Sequence, residues 1–455
     1  MCIFQVFLMM STTTADSNRN QTRLHTDLEI RNYERMAPFF MSLVSRDDLW
    51  TYISSQGSLS AGRRSEDTVI FPYVTVDKIH DAYGITGPRT VIRMEDGTLW
   101  EPLSPHVTDT AYSSRVLSKT PLSNCISFTE HSSDDTLIFS YKWEPAGRFG
   151  LARSVRIENN GTKQRRLNIL DGVINIMPPG IDARLQATRS TLVDAYKQSE
   201  LLPDSRMAVY STASGITDRP YPMENLYANA VWSSGLKEAT VSLAHDAVES
   251  MKRQNFPRKC LLSRGQRGAY WLNAEIELAP GASREWLMVL DCKLDAAELT
   301  ARCLELDGDP KKGKAAIKAA ISDNDRELHN LLAQADAFQS SEDQMNHLHH
   351  TANVLFNSMR GGIFLNHYAI EGEALQAHIK AANPALYNSH REDLQALNGW
   401  LAYASCRKQI EAIGDLDLLR YFLEYLPITF SRRHGDPSRP WNKFMIRTHD
   451  AEGAP

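Results

Sequence analysis

The densest group of reactive side chains is Ser431-Arg432-Arg433-His434-Gly435-Asp436-Pro437-Ser438-Arg439-Pro440-Trp441-Asn442. Three arginines, a histidine and an aspartate fall within eight positions here. Guanidinium groups present a planar fork of donors that suits hydroxyls or an anion such as phosphate, and an indole can stack on the apolar face of a sugar ring. Arg432, Arg433, His434, Asp436, Arg439 and Trp441 are therefore candidate substrate-binding residues, on a loop whose path Gly435, Pro437 and Pro440 would fix. The same residues also fit a purely structural role, with Arg–Asp pairs tying the loop to neighbouring helices.

Other constellations carry less. His347, His349 and His350 do not share one helical face, so no metal site is expected there. Arg360-Gly361-Gly362 reads as a sharp turn, and Asp415 and Asp417 read as helix-start residues. Two carboxylates for glycosidic chemistry come from distant parts of a fold, so spacing identifies no catalytic residue. Trp50, Trp100, Trp143, Trp232, Trp271 and Trp286 are expected mainly in the core. The six cysteines lie far apart without a C-x-x-C pair, so neither a zinc site nor a disulfide framework can be read from them.

Two kinds of periodicity must position these groups. From about Asp67 to Leu294 short β-type runs alternate with turns: TVIFPYVTV, RTVIRM, DTLIFSYKW, RSVRIE, RRLNILDGVINIM, RMAVYSTA, AYWLNAEIEL and REWLMVLDCKL. Asp96-Gly97, Asn160-Gly161 and Pro280-Gly281 supply hairpin turns and hence antiparallel pairing. In RSVRIE, Val155 and Ile157 alternate with Arg156 and Glu158, so one face is buried and the other meets water or a ligand.

After Asp295 the spacing turns helical, in KKGKAAIKAAI, RELHNLLAQADAF, QMNHLHHTANVLFNSM, EALQAHIKAA, REDLQALNGWLAYASCRKQIEAI and LDLLRYFLEYL, with no convincing strand. Ser341 with Gln344 and Ser389 with Glu392 have capping-box spacing, and Gly414-Asp415 reads as one helix stopping and the next starting. The sequence places 1–29 as a disordered segment, 30–294 as a β-sandwich, 295–340 as a helical linker and 341–455 as a further helical domain.

The chain has 455 residues, 42% of them hydrophobic, and a net charge of -5. Without a dense basic cluster there is no electrostatic case for nucleic acid or an anionic membrane, and a neutral or small polar ligand fits better. The opening MCIFQVFLMM is too short to span a bilayer and lacks a basic flank. A cytoplasmic location is the expectation.

Three stretches carry a family resemblance: PFFMSLVSRDDLWTYISSQGSLSAGRRSEDTVIFPYVTVDKIHD with the following DGTLWEP, then VRIENNGTKQRRLNILDGVINIMPPG, and the late loop SRRHGDPSRPWNKF. The chain from about Tyr33 onward resembles the cellobiose-phosphorylase-like group of glycoside hydrolases and phosphorylases (glycoside hydrolase family 94-like). That resemblance implies an antiparallel β-sandwich of galactose-mutarotase type, a helical linker and the opening of an (α/α)6 barrel, an incomplete α/α toroid over 341–455. It implies an inverting enzyme acting on β-linked oligosaccharides, without a cofactor but with inorganic phosphate as an optional co-substrate. The resemblance leaves the catalytic carboxylate unassigned, so an inactive remnant and a carbohydrate-binding or dimerisation module stand as alternatives; a homodimer is one option.

Overall fold

The computed structural model describes residues 27–106, 111–215, 225–253, 258–334, 337–338, 344–359, 362–364, 369–431 and 444–446. The chain divides into two compact units, Met1–Asp325 and Arg326–Pro455. The first begins with strands β1 (Leu28–Arg31), β2 (Phe40–Leu43), β3 (Leu49–Ser54), β4 (Leu59–Arg63), β5 (Val69–Phe71), β6 (Gly87–Arg93) and β7 (Leu99–Trp100). It continues with β8 (Tyr112–Lys119), β9 (Ile126–Ser132), β10 (Leu137–Pro145), β11 (Leu151–Asn159), β12 (Arg165–Ile176), β13 (Lys197–Leu201) and β14 (Ala208–Thr212). Strands β15 (Ala228–Ser234), β16 (Thr240–Ser242), β17 (Leu262–Arg264), β18 (Gly268–Leu278) and β19 (Ser283–Leu294) complete the set. Short helices α1 (Val76–Ile79), α2 (Ala183–Thr188), α3 (Ser190–Tyr196) and α4 (Ala247–Lys252) lie between them.

A ten-stranded sheet runs β1-β8-β9-β10-β11-β19-β15-β14-β13-β17, a five-stranded sheet β16-β18-β12-β6-β7, and a four-stranded sheet β2-β3-β4-β5. All their pairings are antiparallel. Period-2 alternation decides which side chains go inward. On β10 and β11, Phe139, Tyr141, Trp143, Val155 and Ile157 are buried, and they meet Ile169, Val173, Tyr270 and Leu272 of the five-stranded sheet and Ile53 and Phe71 of the four-stranded one. Fully burying one such large side chain contributes roughly 1.5–3 kcal/mol, which makes this interior the main source of stability.

Of the three hairpin turns expected from sequence only Asp96-Gly97 is one: Gly97, at a φ of 85°, turns β6 back onto β7. Asn160-Gly161 and Pro280-Gly281 instead carry the chain from one sheet to the other, β11 to β12 and β18 to β19, because these strands find their partners elsewhere in the two sheets. The β-runs named from the sequence all contain strands, although TVIFPYVTV yields only three strand residues. Strand β1 starts at Leu28, inside the stretch expected to be disordered, because its backbone pairs with β8. Trp100, Trp143, Trp232, Trp271 and Trp286 are buried as expected, while Trp50 is partly exposed.

The last sheet strand ends at Leu294, and α5 (Ala296–Asp307) follows at once. Asp295 accepts a hydrogen bond from the Glu298 amide while Glu298 accepts one from the Asp295 amide, a capping box. Helix α6 (Pro310–Gln334) follows the Gly308-Asp309 joint. Leu306 and Ile317 of these helices pack on Ala152, Trp232, Leu287 and Val289, the outer face of the ten-stranded sheet.

The second unit contains α7 (Gln344–Met359), β20 (Gly362–Phe364), β21 (Ala369–Glu371), α8 (Gly372–Ala382), α9 (Pro384–Ser389) and α10 (Arg391–Ala396). After these come β22 (Trp400–Ala402), α11 (Tyr403–Ile413), α12 (Leu416–Ser431) and β23 (Phe444–Ile446). Three expectations are corrected here. Strand-free sequence after Asp295 was expected, yet β20 pairs with β23 and β21 with β22. The single helix expected over REDLQALNGWLAYASCRKQIEAI is broken into α10, β22 and α11, because Gly399 takes a φ of 64° and the next residues pair with β21. Ser389 caps nothing: its hydroxyl donates to the Leu386 carbonyl, and His390 precedes α10 without a side-chain cap. Ser341 lies outside the described residues.

Leu394, Leu397 and Ile410 nevertheless converge in one core with Leu375, Leu418 and Phe422. The apolar face of LDLLRYFLEYL is thus covered within the unit: Leu418 and Phe422 are buried, and Leu419 and Leu423 pack against the same core. Gly414 ends α11 at a φ of 79°, and Asp415 accepts hydrogen bonds from the Asp417 and Leu418 amides at the start of α12.

Candidate functional site

Helices α5 and α6 cover only part of the outer face of the ten-stranded sheet. Beyond their apolar footprint the same face turns polar, with Ser127 and Thr129 on β9, Ser140, Lys142 and Glu144 on β10, Ser154 and Arg156 on β11, and Glu285 on β19. Lys314, Lys318, Ile321 and Ser322 of α6 form the facing wall. The result is a groove of about 530 Å³, within the range of roughly 300–1,000 Å³ typical of ligand clefts.

Both walls follow from local sequence. Strand alternation sends residues 140, 142 and 144 to one face, and helical spacing puts Lys314, Lys318 and Ser322 on one side of α6. Fixed contacts hold α6 at this distance: the Arg46 amide donates to Asn324 Oδ1 at 2.8 Å and Asn124 Nδ2 to Asp325 Oδ1 at 2.8 Å, while Trp232 Nε1 anchors the preceding α5 by donating to Asp307 Oδ1 at 2.7 Å.

The charges on the sheet are paired. Lys142 Nζ donates to Glu144 Oε1 at 2.9 Å, and Arg156 donates to Glu158 at 2.7 Å and to Glu285 at 3.2 Å. Partial burial works to lower the Lys142 pKa, but the adjacent Glu144 carboxylate outweighs it and the ammonium is held above its ordinary value. Bonds to Glu158 likewise raise Arg156. On α6, Lys314 and Lys318 form no ion pair or hydrogen bond among the described residues. The groove therefore joins a mixed floor of hydroxyls, matched charges and apolar surface such as Leu287 to a wall carrying two uncompensated ammonium groups, which suits a polar ligand with an anionic group.

The other dense polar clusters hold the fold together. Arg115 and Glu130 are buried together, with Glu130 also accepting from Trp100 Nε1 and the Leu103 amide at 2.6 Å each. Burial pushes the Glu130 carboxyl up against the opposing pull of Arg115. Arg63 donates to Asp291 at 2.8 Å and also pairs with Asp48, tying the four-stranded sheet to the ten-stranded one. Neither cluster opens into the groove.

Arg432, Arg433, His434, Asp436, Arg439 and Trp441 lie outside the described residues, as do the side chains of His347 and His350 and all of Arg360 and Gly361. Gly362 starts β20. Sequence reading did not single out Lys142, Glu144, Glu285, Lys314 or Lys318 as site residues. The available signals were the wet face of RSVRIE, which contains Arg156, and the four-residue spacing of lysines in KKGKAAIKAAI.

Residues 364–427 match the family model described as "Glycoside hydrolase family 149 insertion domain 1". That span contains α8–α11 and most of α12, so these helices match an insertion domain. No curated protein sequence matches the chain. Among solved structures it is similar to a putative kojibiose phosphorylase from human microbiome, at 10% identity and a TM-score of 0.37, over 61% of this chain and 32% of that one. It is also similar to a bacterial glucoamylase complexed with acarbose, at 10% identity and a TM-score of 0.40, over 87% of this chain and 56% of that one. A galactose mutarotase-like protein from Lactobacillus casei aligns with 56% of this chain over 99% of its own length, at 9% identity and a TM-score of 0.30. The chain thus spans about a third and a little over half of the first two proteins, and at these scores no residue role passes from any of the three to this chain.

Proposed function

We propose that this chain works in a carbohydrate-active enzyme of the glycoside hydrolase and phosphorylase group, acting on a β-linked oligosaccharide with inversion. The observation that carries this reading is the match of residues 364–427 to a glycoside hydrolase insertion domain. It is supported by the motif resemblance at the late loop and in the sandwich.

In this reading a general acid protonates the leaving oxygen while water or inorganic phosphate attacks the opposite face of the sugar. Arg432, Arg433, His434, Asp436 and Arg439 bind hydroxyls or phosphate, and Trp441 stacks on a ring. Incubation with β-linked gluco-oligosaccharides, with and without inorganic phosphate, tests the reaction. Sugar phosphate formed only when phosphate is present identifies phosphorolysis, and equal sugar release without it identifies hydrolysis. Glycan retention without turnover supports the binding-module alternative, whereas neither binding nor turnover overturns the carbohydrate reading.

A further inference from the structure

The groove between β9–β11, β19 and α6 has a feature that neither sheet packing nor helix docking requires. Lys314 and Lys318 sit one helical turn apart on the wall that faces the sheet, and neither has a partner among the described residues. Acidic side chains are available nearby, yet Glu144 is taken by Lys142 and Glu285 by Arg156. The lining holds four cations, Lys142, Arg156, Lys314 and Lys318, against the carboxylates Glu144 and Glu285, and Glu158 just outside it also pairs with Arg156, so the cations still outnumber the carboxylates in a chain whose overall charge is -5. The positive surplus is therefore local to the cleft.

Between those charges the floor carries hydroxyls beside the apolar Leu287 and Ile321. Thr129, Ser140 and Ser154 line the groove on neighbouring strands, and Ser322 faces them from the helix. Each hydroxyl can both donate and accept, which matches a ligand that carries hydroxyls of its own. Shape, charge and hydrogen-bonding capacity agree on one class of occupant.

We propose that this groove binds a carbohydrate bearing an anionic group, either phosphate or carboxylate, with Lys314 and Lys318 taking the anion and the serine and threonine floor taking the sugar hydroxyls. The sugar part rests on the carbohydrate reading given above; the anion part rests on the groove alone. The Lys142–Glu144 and Arg156–Glu285 pairs act as fixed dipoles that orient the ring.

Calorimetric titration of the full chain with glucose 6-phosphate, glucuronate, glucose and inorganic phosphate tests this. Both anionic sugars are expected to bind more tightly than glucose and than phosphate alone, and to weaken as salt screens the lysines. Lys314→Gln with Lys318→Gln should weaken them about tenfold, as expected for two partly exposed charge-assisted contacts, with an unchanged melting temperature. Replacing both lysines by arginine should restore binding.

Affinity unchanged in the double glutamine variant, or no binding of either anionic sugar, overturns the proposal. Inorganic phosphate binding as tightly as the sugars also overturns it, because the floor then contributes nothing. Turnover of a neutral oligosaccharide unaffected by the double variant would leave the enzymatic reading standing while the titration alone decides the groove.

Discussion

Arg153 of β11 and Asp171 of β12 face each other across the interior of the sandwich, joined by two hydrogen bonds of 2.8 and 2.9 Å with both side chains fully buried. Trp286 Nε1 and Thr90 Oγ1 each donate to the same carboxylate at 2.6 Å, so strands of both large sheets meet at one group. The Arg153 guanidinium also lies 4.7 Å from the Tyr141 ring centroid. This pair fixes how the two sheets face each other, which apolar contacts alone specify only loosely.

Asp171→Ala leaves a buried guanidinium and an indole N–H without their acceptor. The expected cost is about 3–5 kcal/mol, as for other broken buried pairs. Chemical denaturation of the variant checks this, and a loss below about 1 kcal/mol would mean that water readily replaces the carboxylate.

Two glycines separate backbone strain from steric exclusion. At Gly414 the φ is 79° and no heavy atom lies within 4 Å of an added methyl, so Gly414→Ala should cost only about 1–2 kcal/mol of left-handed strain. At Gly172 the added carbon would lie 2.0 Å from the Tyr270 carbonyl oxygen, inside the β12–β18 pairing. Gly172→Ala should therefore destabilise much more, and thermal melts of the two variants should rank them in that order.

The α12 cap predicts a pH dependence. Hydrogen bonding from the Leu418 amide, then from His390, holds Asp415 below the ordinary carboxylate range. A depressed carboxylate contributes stability that is present above its unfolded pKa and lost as pH falls through the folded value. Asp415→Asn should accordingly lie below the native chain in stability near neutrality and converge with it as pH falls below about 4, which flattens the acid limb of its stability–pH curve. An unchanged acid limb would show that the cap does not titrate in this way.

For the late loop, Arg433→Ala and His434→Ala are expected to lower glycan turnover at least about tenfold while shifting the melting temperature little, the pattern of lost charge-assisted substrate contacts. Parallel losses of activity and thermal stability would instead assign the loop a structural role.

Legibility from sequence followed the range of the interactions involved. The strands carrying RSVRIE and AYWLNAEIEL, the turn at Asp96-Gly97 and the stop at Gly414 were readable because period-2 alternation and positive φ are properties of a few neighbouring residues. The break at Gly399 was not, because α10 and α11 look like one helix until β22 finds β21, about thirty residues earlier in the chain. Ser389 misled for a different, local reason: its hydroxyl had a carbonyl one turn back to bind, which competes with the cap.

The groove marks the same division. Sequence by itself determined that Arg156 and Glu158 point away from the core and that Lys314 and Lys318 share a helical face, since both are matters of local backbone geometry. Only the tertiary structure decided that this helix face stands over that strand face with Lys142 and Arg156 already paired and the two lysines left over. Which charges meet depends on packing between residues more than 150 positions apart in the chain, such as Arg156 and Lys314, and no periodicity records a contact of that length.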